Sequence, residues 1–205
     1  GGDEDAWLAQ GRTAQILDNL IAQGKAQPMI VVFTNGNISQ EAAPGENSTG
    51  YTQPTMSLPK TMEGTFETSF PEIVKFIDSN YRTIAKKQSR AICGLSMGGF
   101  HTLNISLNYP DMFNYVCAFA PAIFGPEISS NFENGTYAPA DQLNEKLDLL
   151  WLSCGTSDFL YQSSLQLEKN LKDRGIEYKT MYPGGGHTWM NCRDYITAVA
   201  QLLFK

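Results

Sequence analysis

The sequence predicts an α/β fold, with a mostly parallel central sheet and helices on both faces. Short apolar runs of strand length alternate along the chain with longer segments whose apolar residues recur at helical spacing. Such runs are typical of strands buried on both faces, and their alternation with helices is typical of a parallel sheet. No internal repeat or linker-like stretch interrupts the 205 residues, so residues 1–205 are expected to form a single domain.

The predicted elements follow from the spacing of apolar residues and from the positions of glycine and proline. Strands are expected at 28–34, 90–95, 115–120, 149–154 and 178–182. Helices are expected at 7–23, 66–81, 160–174 and 190–204, and in the segment that follows Ser96. Two stretches, 35–62 and 121–141, are expected to be irregular.

Composition narrows the classes of function. The net charge is −6 and no run of lysine or arginine occurs, so nucleic acid and anionic membrane surfaces are poor candidate partners. No apolar run approaches the roughly 18–20 residues that cross a bilayer. The cysteines are Cys93, Cys117, Cys154 and Cys192. They have no C-x-x-C spacing, and the chain has only two histidines, so we expect free buried thiols and no zinc site.

The most informative motif is Gly94-x-Ser96-x-Gly98, which follows one predicted strand and precedes a helix. Strand, tight turn and helix are the setting of a nucleophile elbow, where a strained central serine needs neighbours that lack side chains. Gly94 and Gly98 meet that demand, and Gly99 lets the start of the helix lie close to the sheet. Ser96 is therefore a candidate nucleophile at a helix N-terminus, which favours negative charge. The alternative is a glycine-rich turn with an incidental serine.

A serine nucleophile needs a base, and the chain offers two histidines. His101 lies five residues after Ser96, about 140° round the same predicted helix, and should point away from the elbow. His187 follows three glycines at the end of the last predicted strand, and these let its backbone swing over the strand ends. We predict that His187 is the base, with a hydrogen-bonded turn histidine as the alternative.

The base in turn needs a carboxylate that orients it. Asp158 follows the fourth predicted strand, so it should meet Ser96 and His187 where the carboxyl ends of parallel strands lie together. Asp148 precedes the same strand and should lie at the opposite edge of the sheet. Asp158 could instead only cap the helix that follows. The reserve acids are Glu133 and Asp141. The chain order of serine, aspartate and histidine is that of the α/β-hydrolases.

Five segments together carry a resemblance to a known family. They are Gly1-Gly2-Asp3-Glu4-Asp5-Ala6-Trp7, residues 18–25, Gly94-Leu95-Ser96-Met97-Gly98-Gly99, Cys154-Gly155-Thr156-Ser157-Asp158 and Gly184-Gly185-Gly186-His187. Over nearly its whole length the chain resembles the esterase D-type α/β-hydrolases of carbohydrate esterase family one, most closely bacterial feruloyl esterase domains attached to xylanases. The resemblance implies catalytic roles for Ser96, Asp158 and His187, a seryl ester intermediate, and no metal or organic cofactor. It also implies ester-linked ferulate or acetate on plant xylan as the substrate.

The resemblance has further consequences for the start of the chain. It implies an oxyanion hole made by the backbone N–H of Met97 and one at or just before Gly1. The family's sheet begins with three strands that this sequence lacks, and the third lies between the strands predicted at 28–34 and 90–95. We therefore expect those strands in a longer polypeptide, since their loss would leave backbone groups unpaired. A direct pairing of Val31 with Ile92 in a complete sheet would contradict this.

Aromatic residues near the predicted site suit an apolar slot for a phenolic acyl group. The candidates for substrate binding are Phe124, Phe159, Tyr161 and Trp189. Ordinary packing is the alternative for each of them. Acetyl-xylan esterase, an esterase like S-formylglutathione hydrolase, and a non-catalytic binding relative are the alternative functions. A polymeric substrate favours a secreted or periplasmic protein.

Overall fold

A computed structural model describes residues 4–36, 65–123 and 140–205, apart from the side chains of residues 65 and 140–142. The chain forms two compact units, Ala85–Asn191 and Gly1–Ile84 with Cys192–Lys205. The strands are β1 (Ala91–Leu95), β2 (Tyr115–Phe119), β3 (Leu149–Ser153) and β4 (Lys179–Met181). The helices are α1 (Ala6–Ala9), α2 (Thr13–Ala22), α3 (Thr65–Asn80), α4 (Met97–Asn108), α5 (Ala140–Lys146), α6 (Tyr161–Asp173) and α7 (Trp189–Ala200).

The four strands form one parallel sheet in the order β1-β2-β3-β4, within the unit Ala85–Asn191. Every residue of β2 and β3 is buried, as expected for strands covered on both faces. Helix α4 packs against β1 and β2, and α6 packs against β3. The predicted parallel α/β fold is therefore confirmed. All carboxyl ends of the strands point to one edge of the sheet, where the candidate site lies.

Strand β1 is an edge of this sheet. Its register partners all lie on β2, with Cys93 opposite Cys117, and no described strand pairs with its other side. The four cysteines are free, as predicted, and Cys117, Cys154 and Cys192 are buried. The prediction of a buried thiol is wrong for Cys93, which is exposed. Its strand lacks a described neighbour on one side, whereas Cys117 lies between two strands.

The other unit has a small apolar core of its own. Leu17 and Leu20 on α2 pack against Ala26 and Ala200. The single helix predicted at 7–23 is wrong, because the chain breaks between α1 and α2. Arg12 has a φ of 54° there, and the left-handed conformation cannot continue a right-handed helix.

The strand predicted at 28–34 is also wrong. This run belongs to no strand, and its apolar side chains are largely exposed, with Ile30 at 55%, Val31 at 41% and Val32 at 43%. A β-rich run becomes a strand only where a neighbour takes up its backbone hydrogen bonds, and no described strand does so here. The end of the run is held by ring packing instead, since the stacked rings of Trp7 and Phe33 have centroids 6.5 Å apart.

Smaller differences concern the ends of elements. The stretch 121–141 was predicted to be irregular, but α5 begins inside it at Ala140. Helix α7 ends at Ala200, earlier than predicted, and Phe204 has a left-handed φ of 59°. A short 3-10 helix, Lys87–Ser89, precedes β1. Among the described residues, no helix is both long and apolar enough to cross a membrane.

Candidate active site

Ser96 occupies the sharp turn between β1 and α4. Its φ of 62° and ψ of −117° are a conformation that residues other than glycine rarely adopt, at a cost of about 1–3 kcal/mol. A Cβ atom at Gly94 would overlap the carbonyl group of Gly98, and one at Gly99 would lie 2.8 Å from Pro121 Cα. The expected demand for space at Gly98 is wrong, because a Cβ there meets no described atom within 4 Å. Gly98 therefore matters through its carbonyl group, which fills the space next to Gly94, and the turn does not need position 98 to lack a side chain.

Hydrogen bonds to the segment around the end of β2 hold the Ser96 backbone in this conformation. Its N–H donates to the Phe119 carbonyl oxygen at 2.9 Å, and its carbonyl oxygen accepts from the Ala122 N–H at 2.9 Å. The β1–β2 pairing therefore continues into the turn. Met97 is the first residue of α4, and the first N–H groups of a helix have no partner within it. A backbone donor thus stands next to the Ser96 hydroxyl.

Asp158 and His187 meet at the same edge of the sheet. The distance from His187 Nδ1 to Asp158 Oδ2 is 2.7 Å, and the two side chains are 24% and 1% exposed. The other carboxylate oxygen, Oδ1, accepts the Leu160 N–H at 2.9 Å. Asp158 is not the N-cap of the next helix, since that helix begins at Tyr161 and Leu160 occupies the N-cap position. One carboxylate oxygen binds the loop backbone and the other faces the imidazole.

The ladder between β3 and β4 brings the two loops together. Beyond β3 it continues as hydrogen bonds from the Cys154, Thr156 and Ser157 N–H groups to carbonyl oxygens at the end of β4 and in the His187 loop. The acceptors are Met181 at 3.2 Å, Pro183 at 2.9 Å and Gly185 at 2.9 Å. A Cβ at Gly155 would overlap the Gly185 carbonyl, so this close approach requires glycine.

One apolar cluster joins the ends of all four strands beneath the site. Its members are Ala120, Ala122, Cys154 and Leu160, with Leu95, Met97, Tyr161 and Tyr182 packed against them. Met97 follows the serine and Leu160 lies two residues after Asp158, so the serine turn and the acid loop share this cluster. Burial raises the pKa of the Cys154 thiol to about 11, so the thiol is protonated at neutral pH and adds no charge beside Asp158.

The predicted substrate-binding residues lie in different surroundings. Phe159 is 68% exposed, and its ring centroid is 4.7 Å from that of His187. Tyr161 packs edge-on against Tyr182, with centroids 5.5 Å apart, while Trp189 begins α7 and is half-buried.

Four predicted site residues lie outside the described residues or have side chains that are not described. They are Gly1, Phe124, Glu133 and Asp141.

The other histidine, His101, has different surroundings from His187. His101 is only 4% exposed and lies within α4, where its ring packs against Phe100 at a centroid distance of 5.8 Å. In the described ranges no group of three or more His, Cys, Asp or Glu side chains is placed to hold a metal ion.

Sequence reasoning assigned no structural role to two residues of this neighbourhood, Gly155 and Asn191. Asn191 is buried, and its amide bonds to both sides of the His187 loop. The available signal was the pattern Thr188-x-x-Asn191 before the last helix, which has the spacing of a capping box.

Comparison with known proteins places the chain in a family. The profile of the family described as "Putative esterase" matches residues 2–200. The chain belongs to this esterase family. It is 31% identical over 208 residues to an endo-1,4-beta-xylanase/feruloyl esterase of Xylanibacter ruminicola, covering 100% of this chain and 25% of that protein. It is 26% identical over 163 residues to an acetyl esterase of Caldicellulosiruptor saccharolyticus, covering 65% of this chain and 61% of that protein. The chain thus spans less than two thirds of either relative.

Solved structures of esterases share the fold of this family member. A ferulic acid esterase superposes with a TM-score of 0.74 at 24% identity, over 96% of this chain and 78% of the other. The feruloyl esterase module of Clostridium thermocellum complexed with sinapinate gives 0.73 at 19% identity, over 100% and 74%. The carbohydrate esterase family one ferulic acid esterase of Anaeromyces mucronatus gives 0.68 at 24%, over 91% and 68%. The predicted α/β-hydrolase fold and family resemblance are confirmed.

Proposed function

We propose that this protein is a serine carboxylesterase that releases ferulate, or a related hydroxycinnamate, from plant cell-wall xylan. The observation that carries the proposal is the 2.7 Å contact of His187 Nδ1 with Asp158 Oδ2, at the sheet edge that also bears the Ser96 turn. A carboxylate on Nδ1 fixes the tautomer of the imidazole and leaves Nε2 to accept a proton from a nucleophile.

The first half of the proposed reaction forms an acyl-enzyme. The Ser96 Oγ attacks the ester carbonyl carbon while His187 Nε2 takes the hydroxyl proton, and the carbonyl π electrons move to oxygen. As the tetrahedral intermediate collapses, the bond from the acyl carbon to the sugar oxygen breaks. His187 gives its proton to that oxygen, so the sugar leaves as an alcohol.

The second half returns the enzyme to its starting state. A water molecule attacks the acyl carbon while His187 Nε2 takes a proton from it. The bond from the acyl carbon to Ser96 Oγ then breaks, and His187 gives that proton to Oγ. Ferulic acid leaves, and Asp158 stabilises the imidazolium that forms in each half. These side chains balance both steps without a metal or organic cofactor.

The oxyanion of each tetrahedral intermediate needs donors that are already in place. We assign one to the Met97 N–H at the start of α4, where the helix dipole also favours negative charge. We assign the other to the backbone at or just before Gly1, outside the described residues.

The proposed acyl group, a hydroxycinnamate, is inferred from the aromatic surface beside His187. The exposed Phe159 ring next to His187 suits the flat ring of a hydroxycinnamate. We assign Phe124, Tyr161 and Trp189 to the same slot. The similarities to an endo-1,4-beta-xylanase/feruloyl esterase and to an acetyl esterase support a feruloylated or acetylated xylan as the polymer. A polymeric substrate favours a secreted or periplasmic enzyme, which we include in the proposal.

Acetyl-xylan esterase is the second candidate, because the chain is also 26% identical to an acetyl esterase. Hydrolysis of methyl ferulate and of acetylated xylan by the natural protein separates the two candidates.

We expect Phe159→Ala to lower kcat/KM for methyl ferulate by about 3- to 10-fold and to leave kcat/KM for p-nitrophenyl acetate unchanged, since only the ferulate ring loses packing against Phe159. Phe76→Ala is the matched control, as Phe76 is 58% exposed on α3. Rapid acetate release with negligible ferulate release would favour the second candidate.

We also propose that the open side of β1 is completed by a strand of the same precursor. The support is that β1 has described partners on β2 alone, that Cys93 is exposed, and that Val31 is not in the sheet. The intact mass of the natural protein tests this. We expect a mass above the 22.7 kDa of this chain or a second associated fragment, and a fully active protein of that mass alone would contradict it.

A further inference from the structure

Asn191, near the start of α7, bonds to the loop on both sides of His187. Its Nδ2 donates to the Gly184 carbonyl oxygen at 2.8 Å, ahead of the histidine. Its Oδ1 accepts from the Thr188 hydroxyl at 3.0 Å, just after the histidine. Asn191 is 7% exposed, so the loss of a partner would leave a polar atom of its buried amide unsatisfied.

The position of Asn191 in the first turn of α7 fixes the side-chain amide that bonds to the loop. The Asn191 backbone N–H donates to Thr188 Oγ1 at 3.3 Å, so Thr188 occupies the N-cap position of α7 and Asn191 the third helical position. In a capping box the side chain at that position reaches back to the backbone N–H of the cap. The Asn191 side chain instead takes the cap hydroxyl and extends to Gly184. The loop 184–188 is thereby attached to the rigid end of a helix.

The same amide fits against glycines of both loops. Gly185 has a φ of 96°, and a Cβ there would lie 3.0 Å from Asn191 Nδ2. A Cβ at Gly155, on the Asp158 loop, would also lie 3.0 Å from Nδ2. Because the Gly185 carbonyl accepts the Ser157 N–H at 2.9 Å, a shift of the amide would move the acid and base loops relative to each other.

We infer that Asn191 is a positioning residue for His187. It holds the loop backbone so that Nδ1 stays on Asp158 and Nε2 stays available for the serine proton, an inference that rests on the proposed function. Asn191 touches neither the substrate nor the reacting atoms, and it acts through the orientation of the imidazole. Small errors in the geometry of proton transfer have steep effects on rate, so its loss should lower kcat more than it changes KM.

The test compares Asn191→Ala with Asn144→Ala, at a less buried asparagine whose amide makes the same two kinds of hydrogen bond. Asn144 on α5 also donates from Nδ2 to a backbone carbonyl, that of Gly175 at 2.9 Å, and accepts a backbone N–H, that of Glu177 at 2.8 Å. On p-nitrophenyl acetate we expect Asn191→Ala to lower kcat about 10- to 100-fold with KM changed less than about threefold. Asn144→Ala should lower the Tm and leave kcat unchanged.

A second pair of variants keeps the test decisive if Asn191→Ala does not fold. Thr188→Val removes the hydroxyl and keeps the side-chain shape, so kcat should fall. Thr188→Ser restores the hydroxyl and should recover most of the lost kcat. If folded Asn191→Ala and Thr188→Val both keep the wild-type kcat, the inference is overturned.

Nuclear magnetic resonance gives a readout that does not depend on activity. The chain has two histidines, so labelled histidine yields two imidazole signal sets, and His101→Gln assigns them. We expect the Nδ1 proton signal of His187 to broaden or shift in Asn191→Ala and to stay unchanged in Asn144→Ala. A wild-type protein without esterase activity would overturn the proposed function, whereas an unchanged His187 signal in Asn191→Ala would overturn the role of Asn191.

Discussion

The serine turn and the acid–base pair are held in place by different kinds of force. Close backbone packing shapes the turn: Ser96 has a φ of 62°, and the Gly98 carbonyl occupies the space a Cβ on Gly94 would need. Directed hydrogen bonds hold the pair, with one oxygen of Asp158 on a backbone N–H and the other on His187. The turn should therefore fail when atoms are added, and the pair should fail when a bonding partner is lost.

The largest effect should come from replacing Ser96. Both Ser96→Ala and Ser96→Gly should lower kcat by about 10⁴-fold or more, because they remove the nucleophile. The two should differ in stability, since only glycine adopts this φ and ψ without strain. We expect Ser96→Gly to raise the free energy of unfolding by about 1 kcal/mol relative to Ser96→Ala. Urea unfolding of the two variants measures this, and equal midpoints would show that the turn stores no strain.

Asp158→Asn should have the next largest effect on rate. The amide has the size of the carboxylate but lacks its charge and accepts through one oxygen only, so the imidazole loses its orienting partner. We expect kcat to fall by about 10³-fold with little change in KM. Asp148→Asn, at the opposite end of β3, is the control and should keep the wild-type rate. Equal rates for both variants would remove Asp158 from the acid role.

Adding one methyl group at each of two glycines tests the packing of the turn. Gly94→Ala puts a Cβ into the Gly98 carbonyl and should lower the free energy of unfolding by about 3 kcal/mol. Gly98→Ala meets no described atom within 4 Å and should be neutral or stabilising by up to about 1 kcal/mol, as alanine favours a helix. Thermal unfolding compares them, and similar losses at both positions would contradict the geometry of the turn.

The strands could be predicted only in part, because composition does not specify a strand's neighbours. The runs 28–34 and 149–154 are both short and mostly apolar, and both were predicted to be strands. Leu149–Ser153 lies between two strands and is fully buried, whereas Val31 belongs to no strand and is 41% exposed. Periodicity reports which residues prefer a sheet, but the presence of a partner decides whether the sheet forms.

The residues of the site also differ in whether the sequence alone could predict their roles. Ser96, Asp158 and His187 could be proposed from sequence because each follows a strand, and parallel strands bring their ends together. The left-handed break at Arg12 and the role of Asn191 could not, since each depends on how the local backbone turns. Three-dimensional contacts also reversed the reason expected for Gly98, whose carbonyl, not its missing side chain, shapes the turn.

Reaction of the natural protein with a fluorophosphonate tests the proposed nucleophile most directly. Such a probe captures a serine only when a base removes its proton and an oxyanion hole receives the phosphoryl oxygen. The intact mass should rise by one phosphonyl group, peptide mapping should locate it on Ser96, and Ser96→Ala should stay unlabelled. A folded wild-type protein that takes up no label, or takes it up equally after Ser96→Ala, would contradict the assignment of Ser96, Asp158 and His187 as a catalytic triad.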